Sequence, residues 1–199
     1  MREMQNESML FMLLLGCRPP GRNTEQHDIF FGIGETLKEL VPAIKKSWPE
    51  AKGNIHIDAW RKVTNVNDYP IVVAAKHSMI PVQHRERELF FINLGGYKEN
   101  LFDEVHYKML VVAANLEEAK VKARETAFYQ HTSVSPSANI QHATAHIDDK
   151  FGVDIDDAYP LKDILSAEFK EQYRLIISAP DPTLEEDELH LGYYRLTDV

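Results

Sequence analysis

The strongest constraint on how this chain can fold is that it resembles itself. Leu10 falls on Leu89 at an offset of 79 residues, and the offset holds without a gap from 10–37 to 89–116. Seven of those 28 positions are identical: Leu10/Leu89, Phe11/Phe90, Leu15/Leu94, Gly16/Gly95, Glu25/Glu104, His27/His106 and Leu37/Leu116. After an insertion in the second copy the offset becomes 90. His56-Ile57-Asp58 then falls on His146-Ile147-Asp148, Val63 on Val153, and Tyr69-Pro70 on Tyr159-Pro160. Two blocks in the same order read as a tandem duplication. With 199 residues the chain has room for two small units. The expected organisation is an N-terminal extension over 1–9, a first repeat over 10–80 and a polar linker over 81–88. A second repeat with insertions covers 89–180, and an acidic tail covers 181–199.

The repeat also decides how LFMLLLGC, residues 10–17, should be read. A short apolar run ending at a lone cysteine has the outline of a lipoprotein leader. Its flank, MREMQNES, carries two acids to one base, where such leaders are basic. Its counterpart LFFINLG, residues 89–95, lies mid-chain. The stretch is therefore expected to be a retained, buried strand, with Cys17 where the second copy has Gly96. A single cysteine excludes an internal disulfide and suits a reducing, cytoplasmic setting. No apolar run approaches the roughly 20 residues of a membrane span. A net charge of −9 without a basic cluster argues against a nucleic-acid partner.

Each copy reads as strand, loop, strand, helix, strand, strand. The expected fold class is α+β: two tandem ββαββ repeats packed as a pseudo-twofold pair, with helices against a mixed sheet. Residues 28–33 and 107–113 are continuous apolar runs of strand length. Thr36 with Glu39, and Asn115 with Glu118, form matching capping-box patterns that open helices over 36–48 and 115–128. Pro42 is expected to kink the first helix or delay its start. Third strands are expected from Ile55 and Ala145, and fourth strands over 71–75 and 173–178. In the tail, EEDE (185–188) reads as a solvated charge run and LHLGYYRL (189–196) as an extra edge strand.

The candidate site residues form spaced pairs. Glu25/His27 and Glu104/His106 enter the second strand of each copy; His56/Asp58 and His146/Asp148 enter the third. At i, i+2 spacing on a strand both members share a face. A strand-helix-strand connection favours parallel strands, whose N-terminal ends then share one edge of the sheet. Each unit would thus gather Glu, His, His and Asp, an inventory suited to proton transfer or to an anion or metal contact. The competing reading is a hydrogen-bonded structural cluster that closes a loop. A separate metal set, His142, His146 and Asp148, alternates correctly along a strand. The first copy has no histidine matching His142, so no metal is expected. No phosphate loop, dinucleotide fingerprint, CxxC pair or nucleophile elbow is present, and no cofactor is expected. Cys17, whose repeat partner is a glycine, reads as a bland loop-edge cysteine and not as a nucleophile.

The duplicated unit, with Glu-x-His at the first turn and His-Ile-Asp after the helix, resembles a bacterial family known only as domain of unknown function number fifteen forty-three. The resemblance covers 10–70 and 89–160. It implies one or two copies of such a unit and no established activity. The residues themselves favour a small-ligand-binding or protein-interaction module, with a small polar ligand between the units and a homodimer as the assembly. The rival reading is an enzyme that uses the Glu/His/His/Asp cluster for acid-base chemistry.

Overall fold

A computed structural model describes residues 8–80, 86–97, 101–126 and 153–199. They form two units, Met1–His84 with Leu165–Val199, and Arg85–Ile164. In the first, LFMLLLGC is the interior strand that the repeat predicts. It belongs to β1 (Met9–Cys17), which pairs antiparallel with β2 (Gln26–Gly34) on one edge and β3 (Ile55–Val63) on the other. Leu10, Phe11, Leu13 and Leu15 are all but fully buried. A run apolar on both faces can be accommodated only where both faces are covered.

The expected mixed sheet is not found among the described residues, where every strand pairing is antiparallel. β2 and β3 do run in the same direction, as the strand-helix-strand connection requires. The hairpin partner β1 lies between them, so they are never hydrogen-bonded neighbours. Their N-terminal ends still share one end of the sheet, at the carboxyl end of β1. Between them comes α1 (Leu37–Ser47), whose buried Leu40 lies over Gly32. Pro42 sits inside this helix, which nevertheless starts at Leu37.

A hairpin of β4 (Asn65–Val66) and β5 (Tyr69–Ala75) follows. The other edge of β5 pairs with β9 (Tyr173–Ile177). The alignment assigned that strand to the second repeat, as the counterpart of 71–75; it pairs instead with 71–75 itself. The tail supplies β10 (His190–Arg195), which pairs with β3 and completes the order β10-β3-β1-β2.

The second unit holds β6 (Glu88–Tyr97), β7 (Glu104–Ala113), α2 (Leu116–Arg124) and β8 (Val153–Pro160), in sheet order β7-β6-β8. The β6–β7 register reproduces that of β1–β2 at the same offset of 79: Gly16 faces His27, and Gly95 faces His106. The third strand corrects the second alignment block. Cys17 faces Ile55 and Gly96 faces Val153, an offset of 98 where the alignment used 90. Val153 therefore matches Ile55, and Tyr159-Pro160 match Arg61-Lys62. Matches of two or three residues were outweighed by the strand pattern, since Val-Asp-Ile-Asp-Asp fits Ile-His-Ile-Asp-Ala across its whole length. His142, His146 and Asp148 lie outside the described residues. Among the described residues no helix is long and apolar enough to cross a membrane.

Candidate functional site

Two strands, β2 and β3, bring their polar residues to one point beside the carboxyl end of β1. Gly16 stands between His27 on β2 and His56 on β3, directly opposite both. One residue further along β3 the register slips: Leu15 faces Ile57 but Leu14 faces Ala59, leaving Asp58 as the extra residue of a bulge. A bulge bends the strand and re-aims the side chain it frees. Here the Asp58 carboxylate meets both imidazoles, with Oδ1 3.2 Å from His56 Nε2 and Oδ2 3.3 Å from His27 Nε2. Glu25, just before β2, closes the group, with Oε1 3.1 Å from His56 Nε2 and Oε2 3.9 Å from His27 Nε2.

The four residues are unequally exposed. The side chains of Glu25 and His27 are nearly half exposed, at 47% and 45%, whereas that of His56 is 8% exposed. Tyr193 of β10 stacks on the His56 ring, with centroids 4.2 Å apart, and shields it from above. The cluster is thus a pit with a buried imidazole at its base and an open rim. His56 Nε2 and Asp58 Oδ2 are buried, and neither makes a hydrogen bond among the described residues.

The floor of the pit depends on Gly16. A Cβ there would overlap His56 Nε2 and Asp58 Oδ2, and would stand 2.8 Å from His56 Cε1. The space of the missing side chain is where the cluster sits. Cys17, beside it, is fully buried, and burial followed by the Glu25 charge pushes its thiol above the ordinary range. It stays protonated and unreactive at neutral pH.

The second unit repeats the arrangement with one change. Glu104, His106 and Asp156 bring ligand atoms within 4.8 Å of one another, and His106 Nε2 lies 3.2 Å from Asp156 Oδ2. Asp156 is again the extra residue at a register slip, and a Cβ on Gly95 would overlap it. The register position of His56 is taken by Asp154. Of the candidate residues, Glu25, His27, His56 and Asp58 meet, and Glu104 meets His106. The sequence reading missed Asp156, Tyr193 and the two glycines. The Leu-Gly pair shared at 15–16 and 94–95 carried the glycine signal, and Val-Asp-Ile-Asp carried Asp156.

Residues 22–73 match the model of a family described as Domain of Unknown Function (DUF1543). The match falls within the first unit and covers all four of its cluster residues. No curated protein matches the chain. A crystal structure of a protein Il1583 from Idiomarina loihiensis has a similar fold, with a TM-score of 0.61 and 22% identity over 96% of this chain and 98% of that one.

Proposed function

We infer that this chain is a cytoplasmic binding module, built from a duplicated unit, that takes a small polar ligand at the carboxyl end of β1. One observation carries the reading. Glu25, His27, His56 and Asp58 come from two chain segments, at β2 and β3, to a pit that is open at the rim, buried at its base and, among the described residues, lacks hydrogen bonds to His56 Nε2. A cluster kept for stability would satisfy its buried groups internally, because each one left unpaired opposes folding by about 1–3 kcal/mol. A cluster kept for a ligand leaves that capacity for the ligand.

The two roles differ in a stability measurement. Asp58→Asn keeps the side chain's shape and removes one of two neighbouring negative charges. At about pH 8, above the ordinary imidazole titration, and with chelator present, thermal unfolding of this variant should match or exceed the parent. A loss of about 1–3 kcal/mol would mean that the carboxylate holds the strands together, and the binding reading would fall.

A further inference from the structure

We propose that the second unit holds a site of its own, for a divalent transition-metal ion bound by Glu104, His106 and Asp156. The inference stands apart from the binding reading above, which concerns the first unit. Glu104 and His106 lie at the start of β7 and Asp156 on β8, and one ligand atom from each comes within 4.8 Å of the other two. His106 Nε2 is 3.2 Å from Asp156 Oδ2 and 3.8 Å from Glu104 Oε2. Donors held at 2.0–2.2 Å from one ion stand about 3.0–3.6 Å apart at octahedral to tetrahedral angles. A small adjustment of the part-exposed Glu104 side chain therefore completes the set. One imidazole nitrogen with carboxylate oxygens suits zinc or manganese better than magnesium or calcium, which prefer all-oxygen sites.

The first unit shows why this cluster, and not its counterpart, takes an ion. There the buried His56 ring stands 3.1 Å from Glu25 Oε1 and 3.2 Å from Asp58 Oδ1, and it fills the space between the carboxylates. In the second unit the register position of His56 belongs to Asp154. The glutamate, the first histidine and the bulged aspartate are kept, and the imidazole between the carboxylates is gone. A metal ion takes its place. Stability does not explain what is kept, because the side chains of Glu104, His106 and Asp156 are 36%, 35% and 29% exposed. Ion pairs so open to water contribute little. Yet the two copies hold their histidines at matching distances, 3.2 and 3.3 Å from the aspartate and 3.8 and 3.9 Å from the glutamate.

A second observation concerns Asn93. It precedes Gly95 by two residues on β6, so both face the same side of the sheet. At the offset of 79 the first unit has Leu14 in this place. Asn93 is 8% exposed, and its amide donates to Asp157 Oδ2 at 3.3 Å. Its carbonyl oxygen is buried and accepts nothing among the described residues. Putting a buried amide where a leucine fits opposes folding unless the amide is answered. Three protein ligands leave a coordination place for water, and that water is the donor the Asn93 oxygen lacks.

The test is a titration of the untagged full chain, stripped with chelator, with Zn2+ and separately with Mn2+, read by equilibrium dialysis and metal analysis. The expected result is about one ion per chain, which Mg2+ at equal concentration does not displace. His106→Ala and Asp156→Asn should each weaken binding by on the order of a hundredfold, and Asn93→Leu by on the order of tenfold. Thermal unfolding under chelator checks that all three keep the fold. Asp58→Asn, in the first unit, should bind as the parent does. No uptake by the parent, affinity unchanged in any of the three variants, or an Asp58→Asn chain that loses the ion overturns the proposal. The first cluster is decided by its own stability measurement, so either reading can fall alone.

Discussion

At the scale of single residues, the site turns on an atom that is missing. Gly16 and Gly95 lie in paired strands beside the bulges, with no unusual backbone angle to explain them. Their role is to leave room, for His56 and Asp58 in one unit and for Asp156 in the other. Gly16→Ala is therefore a sensitive probe. The atoms it would displace are the far ends of side chains, which can swing away, so the strand should keep its pairing and the protein should unfold within about 1 kcal/mol of the parent. The cluster, however, should be forced open. The measurement is the NMR spectrum of the His27 and His56 rings beside thermal unfolding. Ring signals unchanged from the parent's would show that the cluster does not use the glycine's space.

At the scale of elements, the same positions are filled differently in the two units. Leu40 and Ile44 of α1 occupy the places of Ala119 and Ala123 in α2, and all four are buried. The strand beneath compensates, with Gly32 and Gly34 where the second unit has Val111 and Ala113. The helix starts differ too. In α2, Asn115 Oδ1 accepts from Glu118 N at 2.9 Å and Glu118 Oε2 accepts from Ala114 N at 3.0 Å. In α1 the glutamate partner Glu39 accepts from Glu35 N, but Thr36 makes no side-chain cap. The Ala114 N–H, then Lys122 and Arg87, pull the Glu118 carboxyl down to about 2. A depressed carboxylate stabilises the fold above its unfolded value near 4.5 and loses that contribution as pH falls towards 2. The stability gap between parent and Glu118→Gln should thus be full at neutral pH and vanish on acidification through that window. A gap independent of pH would sink the assignment. These elements were legible because capping boxes, apolar runs and a gapless offset are local signals. β8 and the partner of β9 were not, because a match of two or three residues beyond an insertion carries less information than five positions of strand alternation. The pairing of β5 with β9 spans about a hundred residues and leaves no local trace.

At the scale of the whole chain, the tail returns to the first unit and covers its site. The acidic run expected to be solvated is not uniformly so, because the side chain of Asp187 within it is only 3% exposed. Its carboxylate accepts from Thr64 Oγ1 at 2.6 Å, Thr64 N at 3.0 Å and Asn65 N at 3.3 Å. That anchor sets β10 against β3, where His190 stacks on Trp60 and Tyr193 on His56. No sequence pattern announces a stacking contact between residues so far apart, which is why Tyr193 was missed. If the anchor holds the strand, Asp187→Ala leaves three donors unanswered and should favour local opening of β10 by about 1–3 kcal/mol. Amide hydrogen exchange reads this directly. Residues of β3 alternate between bonding to β10 and bonding to β1. The row facing β10 should exchange about ten- to a hundredfold faster in the variant, while the row facing β1 keeps its protection. Acceleration of both rows alike would mean that Asp187 supports the whole unit and not the cover over His56. Acceleration of neither would mean that β10 stays in place by its stacking alone.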